Sequence, residues 1–119
     1  MALVKTIIKS NPREVVLKWT GSGTDTVTLG SLVSGAQTVT GTPFVTILAV
    51  LVSQAGSGIT KVTRNSQDVL NMTGQFQFQF ENSVNTIMDE NGASNIVVSI
   101  ATDATLILRV NKMSGYSGI

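Results

Sequence analysis

"GQFQFQF", residues 74–80, places three of the chain's four phenylalanines on alternate positions with a glutamine between each pair. Successive side chains of a β-strand point to opposite faces, so Phe76, Phe78 and Phe80 share one face and Gln75, Gln77 and Gln79 the other. A helix would scatter both sets. Gly74 before the run and Glu81-Asn82-Ser83 after it bound a strand buried on one side. The alternation therefore predicts a core behind the phenylalanines, each contributing about 1.5 to 3 kcal/mol by burial. The opposite face carries neutral amides where Lys, Glu or Thr would serve solubility. Such a face suits contact with protein, and a solvated polar face gives the same pattern.

Working outward, the period of two recurs along most of the chain. Leu3 to Lys9 form a first strand, stopped by Asn11-Pro12 because proline and the residue before it resist continuing a ladder. Glu14 to Thr20 form a second, with Val15, Leu17 and Trp19 on its apolar face. "GSGTD", residues 21–25, reads as a hairpin tip leading into Thr26 to Leu29. Residues 30–43 are rich in Gly, Ser and Thr and read as a long loop with a short strand at Gln37 to Thr40. Phe44 to Val52 is apolar on both faces and predicts a central strand covered on both sides. Ile59 to Arg64 and a short Val69-Leu70 strand flank "NSQD" in the spacing of a meander. Ile96 to Ala101 and Thr105 to Lys112 read as the last two strands, joined by a turn at Thr102-Asp103-Ala104. A helical turn is expected only over residues 83–92. About eight or nine short strands at a spacing of roughly ten residues predict an all-β chain, an antiparallel β-sandwich or barrel. One domain spans residues 1–119, without internal repeat or linker.

Composition bounds the chemistry. Charged residues make up 13% of the 119 and hydrophobic residues 42%, with a formal net charge of +1. Lys5, Lys9, Arg13, Lys18, Lys61, Arg64, Arg109 and Lys112 are scattered along the sequence, so no nucleic-acid or other anionic partner is expected. Cysteine and histidine are both absent, which excludes disulfides, thiolate catalysis and Cys-ligated zinc and leaves Ser or Thr nucleophiles without their usual base. The acidic residues Asp25, Asp68, Glu81, Asp89, Glu90 and Asp103 fall mainly at predicted turns, where carboxylates serve backbone amides. "MDENG", residues 88–92, lacks the spaced carboxylates of a calcium loop. "TGSGTDT", residues 20–26, lacks the lysine and following helix of a phosphate loop. Accordingly no catalytic, metal or cofactor site is expected, no cofactor, and no enzymatic activity. The apolar run at 44–52 is about half a membrane span, so no membrane partner is expected either. "MALVKTIIKS" does not read as a signal peptide, and the sequon at Asn71 is not expected to be glycosylated. Trp19 is expected in the core, and Tyr116 in an uncharged C-terminal segment that docks or frays.

In "REVVLKWTGSGTDTVTLGSL" (13–32) leading to "FVTILAVLV" (44–52), then "ITKVTRNSQDVL" (59–70) and "KMSGY" (112–116), the chain resembles the small β-sandwich structural proteins of tailed bacteriophage particles, particularly capsid decoration or cement proteins. The resemblance implies a virion location and a homo-oligomer, a trimer in preference to a dimer, that clamps the major capsid protein and stabilises the head. A tail or head–tail connector component and a carbohydrate-binding or adhesion module are the alternatives. The residues expected at an assembly interface are Leu3, Val4, Gln75, Gln77, Gln79, Met113, Tyr116 and Ile119. They comprise the neutral face of the glutamine strand and the apolar chain ends.

Overall fold

The computed structural model describes residues 2–54, 56–79 and 91–119, with the backbone alone at 78 and 79. The chain is all-β. Among the described residues its strands are β1 (Val4–Ser10), β2 (Glu14–Val27), β3 (Val39–Gln54), β4 (Ile59–Arg64), β5 (Gln67–Thr73), β6 (Phe76–Gln79) and β7 (Ile96–Tyr116), with a 3-10 turn at Leu29–Leu32. Of the helical turn expected over 83–92, only Asn91 and Gly92 fall among the described residues, in a turn.

Every described strand pairing is antiparallel, and β7 is the hub: it pairs with β2 along one side and with β3 and β4 along the other. The first half of β2 and the second half of β7 sit between β1 and β3, giving the order β1-β2-β7-β3-β6. The remaining halves of β2 and β7 continue into a second layer with β4 and β5. Of the meander expected from residue 59 onward the β4–β5 hairpin is present, but β6 pairs with β3 and not with β5.

The two layers are joined where β2 and β7 bend together. Register passes from Gly21 opposite Ala104 to Gly23 opposite Ile100, so Ser22 alone faces Ala101, Thr102 and Asp103. Gly21 has φ 108° and Gly23 φ 138°, a region that side chains with a Cβ rarely enter. Neither segment is a hairpin tip. "GSGTD" and "TDA" are two sides of one bulged corner, and the four short strands read around them are two long ones. A bulge bends a strand and increases its twist, which lets one ladder serve both layers. Ser22 hydrogen-bonds the exposed Asp103 carboxylate and holds it below the usual carboxylate range. Inside the bend the Trp19 indole N–H donates to Asp25 Oδ2 at 2.8 Å, tying residues of β2 on either side of the corner. Asp25 is thus a strand residue with a structural partner and not part of a turn.

The core lies between the layers and is contiguous: Val15, Leu17, Trp19, Val50, Val52, Leu106 and Leu108 meet Val27, Val62, Met72, Ile96, Val98 and Ile100. The expected apolar face of β2 is the observed one. β3 is covered on both faces at Val45, Thr46 and Ile47, all buried as expected, and alternates beyond them, with Val50 and Val52 buried and Ala49 and Leu51 half-buried. Its first residues, Val39 and Thr40 of the expected short strand and the following 41–43 read as loop, are joined to the rest of the strand by β7. Val39 pairs with Tyr116 and Phe44 with Ser114, and the irregularity between them accommodates Gly41 and Pro43. β4 and β5 close through Asn65 and Ser66, at φ 53° and 61°, the double left-handed step of a two-residue hairpin. Next to it Arg64 is fully buried, donating to the carbonyls of Val45 (2.8 Å), Gly92 (2.8 Å) and Ser94 (2.9 Å).

Candidate assembly surface

Burial across the first layer is set by distance from its edges. One inward-facing row runs Lys5–Trp19–Leu106–Val52–Phe76 across β1, β2, β7, β3 and β6, and the next runs Ile7–Leu17–Leu108–Val50 across β1, β2, β7 and β3. Trp19, Leu106 and Leu108 have no exposure and Leu17 has 1%, whereas Ile7 is 53% exposed and Phe76 38%. The second layer covers the middle of the sheet and leaves the edge strands overhanging.

β1 is the extreme case: all seven of its residues are exposed. Val4, Ile7 and Ile8 are each 53% exposed, and Ile8 occupies an irregularity between Ile7 and Lys9. Apolar branched side chains therefore project from both faces of a strand that pairs on one side only, with β2. Among the described residues no strand pairs with its outer edge. A one-sided strand presents alternate unpaired N–H and C=O groups along that edge.

Charge gathers in the same place. Lys5, Lys9, Arg13 and Lys18 lie on or between β1 and β2, and Arg109 stands opposite Val16 on β7. Glu14 is the carboxylate among them. Arg109 Nε and Nη2 both reach Glu14 Oε2 at 2.7 Å, and Lys9 Nζ lies 3.2 Å from Oε1. The hydrogen bond from Arg109, with Lys9 adding to it, holds Glu14 below the ordinary carboxylate range against the opposing effect of burial. Arg13, Glu14 and Arg109 line an open depression of about 560 Å³ together with Leu48 and Asn111. Arg13 and Arg109, far apart in sequence, thus meet at one depression beside Glu14, while Lys5 stands on the opposite face of the sheet from Lys9 and Lys18. Sequence reading missed this because it requires knowing that β7 returns beside β2.

The residues expected at an interface separate into distinct places. Val4 lies on β1. Leu3 is half-buried and packs against the core. Gln75 and Gln77 are exposed and, with Phe76, Leu51 and Ser53, line a shallow depression of about 340 Å³ at the far edge of the sheet. Phe76 therefore faces the inner side as expected but at the rim, not in the core. Gln79 pairs through its backbone with Ala49, while its side chain, like those of Phe78 and Phe80, lies outside the described residues. Met113, 48% exposed, and Ile119, 37%, flank a depression of about 290 Å³ near Arg13.

Tyr116 is not at the surface. It is 3% exposed and its hydroxyl donates to the Leu29 carbonyl at 2.5 Å. The C-terminal segment docks, but onto its own chain. Lys112 Nζ, 5.3 Å from the Tyr116 ring centre, donates to Asn11 O at 3.0 Å and to Gln37 Oε1 at 2.6 Å. Burial lowers the Lys112 pKa. The Gln37 amide in turn donates to Pro12 O and Ser117 O, so one side chain ties the β1–β2 turn to the end of β7. Among the described residues no group of three or more acidic side chains is placed to hold a metal ion.

No protein-family model matches the chain, and no curated protein matches it. Among solved structures it is similar to a cupin domain from Bordetella pertussis Tohama I, with a TM-score of 0.39 and 10% sequence identity over 95% of each chain.

Proposed function

We propose that the protein is a non-enzymatic structural subunit that works by assembly, and specifically a virion decoration protein that binds the major capsid protein and stabilises the head. A tail or connector subunit would use the same surface chemistry. The observation that carries this reading is β1: a fully exposed edge strand with three branched aliphatic side chains spread over both faces. An edge left free in solution is normally shortened, covered or charged, since it templates pairing with other chains. Exposed apolar side chains on such an edge gain free energy only when something covers them. A sugar-binding reading would need an exposed aromatic platform, and Trp19 and Tyr116 are both buried.

The test is light scattering of the purified protein together with binding to phage heads stripped of accessory proteins. Ile7→Ser combined with Ile8→Ser should weaken assembly or head binding by about tenfold or more, equivalent to about 1.4 kcal/mol. Deleting residues 113–119 is a poor alternative, because it removes the buried Tyr116. A protein that stays monomeric at high concentration and binds no particle component would instead be a soluble ligand-binding module.

A further inference from the structure

We infer that one internal water molecule bridges Gln54 Oε1 and Thr60 Oγ1 at the end of the core beneath the bulged corner, tying the two layers together across the bend of β7. This tie does not depend on what β1 receives.

Both side chains belong to inward-facing rows. Gln54 follows Val50 and Val52 on β3, Thr60 precedes Val62 on β4, and the two are 5% and 0% exposed. They flank the corner on the side away from β2, Thr60 opposite Ile100 just before the bulge and Gln54 opposite Ala104 just after it. Each layer thus presents one polar side chain to the bend. The β3 ladder ends at Ala104 and the β4 ladder begins at Ile100, so among the described residues 101–103 have no strand partner on that side. The Gln54 amide answers one of their carbonyls, donating to Thr102 O at 2.8 Å. That bond also fixes the amide, since reversing it would set its oxygen against the Thr102 carbonyl. Gln54 Oε1 and Thr60 Oγ1 are then buried with no hydrogen-bond partner among the described residues, and neither bonds the other. Buried polar atoms of this kind destabilise a fold unless something pairs with them. The connection between β3 and β4 limits what that can be. Gly56 and Gly58 lie so close to Thr102 that neither has room for a Cβ, which closes this end to a larger ligand. Water meets both demands: it donates to the amide oxygen, shares a hydrogen bond with the hydroxyl, and is small enough to be enclosed.

The test is a crystal structure of the full chain at a resolution that shows ordered solvent, joined to urea unfolding of Thr60→Val and Thr60→Ser. One density peak should lie within about 2.7 to 3.2 Å of both atoms. Thr60→Val keeps the branched shape but removes the hydroxyl, so it should abolish the peak and lower the urea midpoint, because Gln54 Oε1 loses its bridge. Thr60→Ser should retain the peak. In a Gln54→Met background, where no amide oxygen remains, Thr60→Val should lower the midpoint less. A midpoint unchanged or raised by Thr60→Val in the wild-type background overturns the inference, since removing a hydroxyl that bonds nothing relieves the fold. Direct contact between the two side chains, or separate peaks that each touch only one of them, overturns it as well. Should Thr60→Val fail to fold, the density in the wild-type protein decides alone.

Discussion

β1 and β7 are both rich in branched aliphatic residues, yet Ile7 of β1 is 53% exposed and Leu108 of β7, two strands along the same inward row, is fully buried. Neither residue type nor alternation separates them. Position in the sheet does: β7 has a strand on each side and a second layer beneath it, whereas β1 has one neighbour and overhangs the layer below. Equal hydrophobicity thus stabilises the monomer in one strand and remains available to a partner in the other.

The largest effect that would sharpen this contrast is Leu108→Ala, expected to destabilise the monomer by about 2 to 5 kcal/mol through lost burial and a residual cavity. Urea unfolding followed by fluorescence of the single Trp19 would measure it. A cost below that of a surface substitution would mean that the inward row is misassigned.

At the far end of β7, Tyr116→Phe should cost about 1 kcal/mol, the net value of its bond to Leu29 O. Burial lifts the Tyr116 hydroxyl from 10.0 to about 12, partly offset by the positive charge of Arg64. An unfolded tyrosine ionises first, so this contribution is intact below pH 10 and is lost as pH rises towards about 12. As the chain has one tyrosine, tyrosinate absorbance reports Tyr116 alone. Ionisation near pH 10 in the folded protein would place its ring at the surface.

Glu14→Gln, between β1 and β7, should cost roughly 0.2 to 1 kcal/mol near neutrality, because the ion pair is partly screened by solvent. The wild-type contribution is present above the ordinary glutamate range and is lost as pH falls through the lowered folded value. The variant should therefore show a flatter acid limb in stability measured against pH. An unchanged limb would indicate that Arg109 and Lys9 do not hold the carboxylate in solution.

The smallest expected change completes the contrast. Ile7→Ser should alter monomer stability by no more than about 0.5 kcal/mol, as for other surface positions. A loss comparable with that of Leu108→Ala would show β1 to be part of the core and remove the basis for its role in assembly.

Much of this was legible in the residues. The alternation of Val15, Leu17 and Trp19 gave the buried face of β2 directly, and the hairpin after Arg64 follows from a turn between two apolar runs. "GSGTD" misled because glycine permits a positive φ equally in a hairpin tip and in a bulge; only the shared partner, β7, distinguishes them. Tyr116 misled for a related reason. An aromatic residue near a chain end carries no local mark of whether its cover comes from the same chain or from another.

Period-two patterning and the many turn residues by themselves determined that the protein is all-β, since side-chain direction in a strand is a local property of the backbone. The sequence likewise determined that cysteine and histidine chemistry is excluded. Only the tertiary structure decided which strands are central and which are edges, because that depends on pairing between residues as distant as Val15 and Val110. From the same long-range pairing come the overhang of β1 and the meeting of Lys9 and Arg109 on Glu14. Exposure and electrostatic field are properties of neighbours in space, and β7 supplies those neighbours from the far end of the chain.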